Sequence, residues 1–308
     1  MAKKVFGFFN KQKQFEQDIT EGGMQYSSFY GDALHRLKKN KMAMFCAGLL
    51  LILILIAILA PLISPYDPNY QDYNAVLGEP CKAHLFGTDE YGRDILSRIL
   101  YGSRVSISIG IVAQIVASIV GIALGSLAGY YGGWLDNVIS RVMEIFQAFP
   151  DLIFAMAIMT FMGKGVLNLF IALGLLTWVR TARMIRASVM QLKEKEYIEA
   201  SRACGASTYW IIMKGLVPNC LSTIIVLVTL GIPNAIMYEA SLSFLGIGIQ
   251  PPTPSWGNMI SAAQTFISYR PVYSIMPGVA IMITVIAFNI FGDGLRDALD
   301  PKLRGEEA

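Results

Sequence analysis

A polar segment in the second half of the chain has residue types and spacing that suit ionic recognition of a partner. Glu196, Glu199 and Arg202 recur every third residue, so a short helix would place them along one side. Gly205 then interrupts the helical pattern, and Pro218 follows. These features favour either a charged helix that docks in a groove on another protein or an amphipathic helix that lies on a membrane surface.

The same segment is predicted to form two short helices joined at the glycine. Small side chains at Ala200 and Ser201 keep the first helix slim, which allows close approach to another protein. Ser207 is suited to cap the second helix, and Trp210 gives that helix apolar bulk. Pro218 is expected to end the second helix, because proline lacks the backbone N–H that a helix requires.

The residue types that usually bind metals or attack substrates are few and scattered. No two of the cysteines have metal-ligand spacing, and the two histidines lie far apart in the sequence. They are Cys46, Cys81, Cys204, Cys220, His35 and His84. The sequence also lacks H-E-x-x-H, a nucleophile motif, paired carboxylates and the phosphate-binding G-x-x-x-x-G-K-[ST]. We therefore expect no catalytic residue, no metal site and no cofactor bound by this chain.

The elements that position the polar segment are predicted to be membrane-spanning helices. Of the 308 residues, 54% are hydrophobic and 15% are charged, whereas a soluble domain carries about 25% charged residues. A helix crosses the bilayer core with about 20 residues. Six apolar runs are therefore assigned as spans, at residues 42–63, 103–130, 137–161, 166–179, 220–237 and 272–291. The expected fold is an all-α integral membrane protein with six transmembrane helices.

Prolines and arginines refine this assignment. Pro150 lies inside the third run, and Pro233 is expected to kink the fifth run. The fourth helix is expected to continue past its apolar part, where Arg180, Arg183 and Arg186 follow at steps of three. These arginines are expected to lie in the lipid headgroup region.

The distribution of basic residues predicts which ends of the spans face the cytoplasm. With both termini inside, 19 of the 25 Lys and Arg residues fall on inside segments, as the positive-inside rule requires. The net charge of +3 is too small to indicate a nucleic-acid partner. The expected organisation begins with a cytoplasmic tail at 1–41, a first span at 42–63 and an extracytoplasmic loop at 64–102. A five-helix core follows at 103–295 and contains the polar segment at 192–218. The chain ends in a cytoplasmic tail at 296–308.

Three glycines mark one face of the second span. Gly121, Gly125 and Gly129 recur every four residues, so they lie on one side of a helix where another helix can approach closely. The alternative is a lipid-facing helix with scattered glycines. The sequence leaves open whether close packing would occur within the chain or with another subunit.

Two further polar sites have both a structural and a functional interpretation. Glu239, placed just after the fifth run, either contacts a cationic amine of a substrate in a translocation path or is satisfied by backbone N–H groups at a broken helix end. Asp89 and Arg93 belong to the loop before the second span. They either stabilise a helix N-terminus or contact an external protein.

Several functional classes remain open at this point. A gradient-driven secondary transporter needs ionisable groups near mid-membrane, but Glu144, Asp151, Lys164 and Asp293 are all placed near span ends. A channel is less favoured because no filter sequence is present. A membrane enzyme is less favoured because no catalytic motif is present.

The polar segment resembles the cytoplasmic EAA loop of ABC importer permeases, in which Glu-Ala-Ala precedes a glycine and a later proline. The matching residues are Glu199, Ala200, Gly205 and Pro218. Ser201, Gly215 and Val217 depart from the pattern, and Gly215 removes an apolar contact.

Longer stretches narrow the resemblance to permeases of dipeptide, oligopeptide and nickel importers. These stretches are "APLISPYDP" at the end of the first run, residues 86–106, residues 239–257 and residues 292–301. The additional first span and the C-terminal ending are similar to the C-type subunit of that group.

The resemblance implies a type I ABC importer permease that forms half of a pore. Its expected partners are a second homologous permease, two cytoplasmic ATPase subunits that bind ATP and magnesium, an extracytoplasmic binding protein and the lipid bilayer. The residues expected to couple to the ATPase are Glu196, Glu199, Ala200, Ser201, Arg202, Gly205, Trp210 and Pro218.

The resemblance also implies a substrate class and a location. The substrate is expected to be a dipeptide or oligopeptide, with nickel or another small solute as the alternative. The expected location is the cytoplasmic membrane of a bacterium or archaeon.

The topology predicts a difference in thiol accessibility between two loops. A single cysteine at Ser207, in a cysteine-free version, is expected to resist an impermeant thiol reagent in intact cells. A single cysteine at Thr253 is expected to react, because its loop faces outward. Reversed accessibilities would overturn both the orientation and the assignment of the polar segment to the cytoplasm.

Overall fold

The computed structural model describes residues 29–300, so most of the predicted N-terminal tail and residues 301–308 lie outside it. Within this range, regular structure is helical apart from one isolated β-bridge between Thr88 and Asp94. The helices are α1 Phe29–Lys39, α2 Lys41–Ile63, α3 Ile95–Tyr131, α4 Gly133–Gln147, α5 Asp151–Met162, α6 Val166–Leu192, α7 Glu196–Ala203, α8 Thr208–Phe244, α9 Trp256–Ala263 and α10 Pro271–Leu299.

Five of the described helices are long and apolar enough to cross a membrane: α2, α3, α6, α8 and α10. The third predicted run is not a single helix, because α4 and α5 meet at an angle of 92°. The break falls at Pro150, which cannot donate a backbone hydrogen bond and disfavours helical geometry at the residue before it. The expected third span is therefore a broken pair.

Helix directions show that the broken pair returns the chain across the membrane. Gly121 lies against Thr181, and Gly129 lies against Arg186, so α3 and α6 run parallel. The chain must cross back between them, and α4 and α5 are the segments that connect them. The structure therefore has six crossings, as the sequence predicts.

The two described ends of the chain lie on the same face. Leu37 of α1, Ala43 of α2 and Ala298 of α10 pack in one apolar cluster. The polar segment also lies on this face, because its last residue, Pro218, lines one cavity together with Arg296 and Leu299 at the end of α10. An even number of crossings requires this arrangement.

Two of the differences between the helix boundaries and the sequence expectation have a clear local cause. α3 begins eight residues earlier than predicted, because the Asp94 carboxylate caps it by accepting from the Ser97 N–H at 2.7 Å. Pro218 does not end the helix that starts at Thr208. The backbone passes through a π-helical turn at Ile211–Leu216 and a 3₁₀ turn that begins with Pro218, where the missing N–H is tolerated.

The glycine face of α3 packs on α6 within the chain. A Cβ atom added at Gly125 would lie 2.4 Å from the Ala182 carbonyl oxygen. Added Cβ atoms at Gly121 and Gly129 would also lie under 3.0 Å from the α6 backbone. Only glycine allows the two backbones to approach this closely.

The α3–α6 contact predicts that Gly125→Ala destabilises the protein. The added methyl group meets backbone rather than a flexible side chain, so the helices must separate, at a cost of about 1–3 kcal/mol. Gly48→Ala in α2 is the matched control, because nothing lies within 4 Å of its added Cβ. Thermal unfolding in detergent measures both. Equal unfolding temperatures for the two variants would contradict the close contact.

Candidate coupling segment and translocation path

A single apolar side chain anchors α7 to the membrane helices. Ile198 is 1% exposed and packs in a cluster with Ile185 and Val189 of α6 and with Ile211 and Leu216 of α8. Burying an isoleucine in this way contributes roughly 1.5–3 kcal/mol. The anchor therefore connects α7 to both α6 and α8.

Gly215 has a structural reason that the sequence pattern did not suggest. A Cβ added at this position would lie 2.9 Å from the Ile198 Cδ1 atom. The glycine therefore provides the space into which Ile198 inserts. The family pattern has an apolar side chain at the position of Gly215. Here Ile198 of α7 supplies the apolar contact at this place instead.

The outward side of the segment presents most of the residues predicted to couple. The exposed ones are Glu196, Glu199, Ala200, Arg202, Gly205, Trp210 and Pro218, whereas Ser201 is half-buried. Glu199 and Arg202 do not form an ion pair in the described structure, and the Arg202 guanidinium instead lies 5.3 Å from the centre of the Tyr130 ring. Glu199 is left facing solvent without an ion pair in the described structure.

The turn between the two helices follows the predicted chemistry. Gly205 has φ +79°, a left-handed conformation that favours glycine. The Ser207 hydroxyl caps the next helix by accepting from the Trp210 N–H at 3.3 Å. Burial raises the pKa of the Tyr197 hydroxyl, and its neighbour Cys220 adds to the increase, so Tyr197 is neutral at physiological pH.

Two adjacent cavities extend along α6 and α8. The deeper one has a volume of about 390 Å³, and the second, of about 690 Å³, reaches Pro218 and the end of α10. Both are lined by Arg180, Met184, Leu227 and Leu230. These two neighbouring cavities together make up an internal path, and the larger one reaches the face carrying the polar segment.

The deeper cavity is polar on several sides. The Tyr238 hydroxyl donates to the Asp151 carboxylate at 2.6 Å, and Arg183 donates to the Gln147 side chain at 2.5 Å. Arg180 also lines the cavity. The sequence interpretation missed these residues, because it placed Asp151 near a span end and the arginines in the headgroup region. The proline-induced break directly before Asp151 was the signal available.

Glu239 lies inside α8 rather than after it, and it is completely buried. Ser106 and Ser243 donate hydroxyl hydrogen bonds to its carboxylate at 2.9 and 2.8 Å. The same hydroxyls accept from the backbone N–H groups of Trp256 and Ile249. Its partners are therefore serine hydroxyls and not the expected backbone N–H groups. The adjacent Tyr238, rather than Glu239, lines the cavity.

Asp89 and Arg93 are also buried, with exposures of 0% and 5%. The Arg93 Nε atom lies 2.6 Å from the Asp89 carboxylate, and Arg98 approaches the same carboxylate at 3.5 Å. This burial favours the structural alternative for the two side chains, and a contact between this loop and an external protein stays a prediction. The helix cap predicted from Asp89 is instead made by Asp94. The Asp89–Arg93 pair braces the loop before α3.

Six crossings, an exposed helix pair and an internal polar path together define the membrane subunit of a transporter. The chain belongs to the family described as the binding-protein-dependent transport system inner membrane component, which matches residues 121–305. Residues 28–80 match the N-terminal transmembrane domain of oligopeptide transport permease C.

Individual relatives agree with this family. The glutathione transport system permease protein GsiD of Escherichia coli O6:K15:H31 is 42% identical over 271 residues, which are 88% of this chain and 89% of the relative. GsiD of Shigella boydii serotype 4 matches equally. An inward-facing structure of the MetNI methionine ABC transporter has a TM-score of 0.53 at 21% identity, covering 67% of this chain and 98% of that chain, and it supports the fold alone.

These findings confirm several sequence predictions. The chain is a multi-pass permease of the ABC importer class with the type I fold, and it is located in the cytoplasmic membrane. It is a non-catalytic membrane subunit. The family works in general with an ATPase and a binding protein. The gradient-driven transporter, the channel and the membrane enzyme are no longer alternatives.

The environment of Glu239 predicts different outcomes for two substitutions. Glu239→Gln keeps one acceptor and the side-chain size, so we expect an almost unchanged unfolding temperature and more than half of the uptake. Glu239→Leu leaves two buried hydroxyls without an acceptor, at about 1–3 kcal/mol each, and is expected to destabilise the protein. Thermal unfolding and uptake measure both effects. Abolished uptake by a stable Glu239→Gln variant would instead support direct contact with a substrate amine.

Proposed function

We propose that this chain forms half of the translocation pore of an ATP-driven importer and couples it to a separate cytoplasmic ATPase through residues 196–218. The observation that carries this proposal is the Ile198 anchor. It connects the exposed helix α7 to α6 and α8, which line the internal path. A displacement of α7 is therefore transmitted to the walls of the path.

The proposed mechanism is a two-state linkage. ATP closes the ATPase dimer, the docked α7 moves with it, and α6 and α8 shift between inward and outward openings. The slim surface at Ala200 lets α7 seat in the ATPase cleft, where Glu199 and Arg202 find polar partners. A second, homologous permease supplies the other half of the pore, and two ATPase subunits hold the ATP and magnesium.

We propose that the substrates are peptide-like solutes, with glutathione and short peptides as the leading candidates. The names of the 42% identical relatives support glutathione, and the match to oligopeptide permease C supports short peptides. A nickel importer is the alternative. The deeper cavity is lined by Arg180, Arg183 and Asp151, and this excess of positive charge disfavours a free divalent cation.

The proposed orientation places both termini and α7 in the cytoplasm. The basic residues collect on that face, and the same face carries the opening of the larger cavity. An external binding protein then delivers substrate to the opposite face, where the loop braced by Asp89 and Arg93 precedes α3.

Coupling is tested by two variants that leave the membrane helices intact. Gly205→Pro is incompatible with a positive φ, and Ala200→Trp fills the slim surface of α7. We expect both to lower binding-protein-stimulated ATP hydrolysis more than tenfold and to weaken co-purification of the ATPase.

Asn137→Trp is the matched control, because it introduces the same side chain at an exposed position of α4 outside the segment. It is expected to keep normal stimulation. Normal hydrolysis and uptake in Gly205→Pro and Ala200→Trp would contradict docking and favour a helix that merely lies on the membrane surface.

A further inference from the structure

The deeper cavity combines opposite charges within the membrane-spanning part of the chain. Asp151 begins α5, directly after the break at Pro150, while Arg180 and Arg183 project from α6. All three charged residues line the same space of about 390 Å³. Cavities of roughly 300–1,000 Å³ are typical of small-molecule sites. The cavity therefore has both the size and the polarity for a charged small solute.

The charges differ in how far the protein satisfies them. Arg183 is held by Gln147, and the Asp151 carboxylate accepts one hydrogen bond, from the Tyr238 hydroxyl. Arg180 has no hydrogen bond or ion pair in the described structure. A carboxylate can accept several hydrogen bonds, and a guanidinium can donate five. Asp151 and Arg180 therefore keep capacity for a ligand.

Other pairs in the same helices do not have this capacity. Asp136 of α4 is paired with Arg186 of α6, and Glu239 is held between two serine hydroxyls. Charges within the membrane are costly and are usually compensated or functional. The incompletely satisfied charges at the cavity are therefore the ones available for binding.

We propose that this cavity is a binding site, within the permease itself, for a zwitterionic solute with more carboxylates than ammonium groups. Asp151, oriented by Tyr238, receives the ammonium group, and Arg180 and Arg183 receive the carboxylates. The inference rests on the proposed import function and adds a selective site to it. It makes the permease, together with the external binding protein, a determinant of which solutes cross.

The test uses direct binding to the assembled complex of two permeases and two ATPases in lipid nanodiscs, without the binding protein. Glutathione is the probe, because it carries one ammonium and two carboxylates. N-acetylglutathione removes the ammonium charge, and glutathione diethyl ester removes the carboxylate charges. Each probe is titrated against each variant by calorimetry.

Asp151→Asn is expected to weaken glutathione binding about tenfold and to change N-acetylglutathione binding less than twofold. The difference arises because only the free amine of glutathione makes a charge-assisted hydrogen bond to the Asp151 carboxylate. Tyr238→Phe keeps the ring and is expected to act in the same direction, about threefold. Arg180→Gln is expected to weaken glutathione about tenfold and the diethyl ester less than twofold. Arg141→Gln, at an exposed pair outside the cavity, is the control and should change nothing.

Three results would overturn the site. The first is that no probe binds the wild-type complex. The second is that a variant loses the same factor in affinity for glutathione and for the blocked probe, and the third is that Arg180→Gln prevents complex assembly, which would assign that arginine to a contact with the second permease. Uptake and stimulated ATP hydrolysis are measured in parallel. Normal ATP-driven uptake with unchanged probe affinities would reject the site alone, whereas no ATP-driven uptake in the wild-type complex would reject the proposed function.

Discussion

The close parallel contact between α3 and α6 is the constraint on which the other features depend. Glycines at 121, 125 and 129 let the two backbones approach at a distance that no side chain permits. Because the helices run in the same direction, the chain between them must cross back, and a broken helix does so. The break places Asp151 beside the internal path, and the end of α6 leads directly into α7.

The helix α8 is fixed near both of its ends by different kinds of interaction. Near its start, Ile211 and Leu216 bury the anchor residue Ile198 in an apolar cluster. Near its end, two serine hydroxyls donate hydrogen bonds to the Glu239 carboxylate. The same hydroxyls accept hydrogen bonds from backbone N–H groups of the following loop and of α9. The segment between these two points lines both cavities.

The charged residues in and beside the apolar helices follow two patterns. Asp89 and Glu239 are surrounded by donors, and their burial is offset by short hydrogen bonds and ion pairs. Asp151 and Arg180 face an open polar space and are only partly satisfied. The first pattern fixes structure near the loops, whereas the second leaves binding capacity inside the path. The two patterns could not be separated by residue type, since each contains a carboxylate within or next to an apolar run.

The sequence by itself determined the fold class, the apolar runs that become the spans, the glycine face and the position of the polar segment. Apolar run length, glycine spacing and the Gly205 turn depend on residues close together in the chain, so they can be predicted from the sequence. It was wrong about Pro218, and it noted Pro150 in the third run without predicting the break there, because a proline in a helical run can be accommodated or can break the run. Tertiary structure alone decided that the glycines pack within the chain, that Gly215 receives Ile198, that Asp89 and Glu239 are buried, and that Asp151 meets Tyr238. Those contacts join residues far apart in the chain, and their geometry arises only when the helices pack.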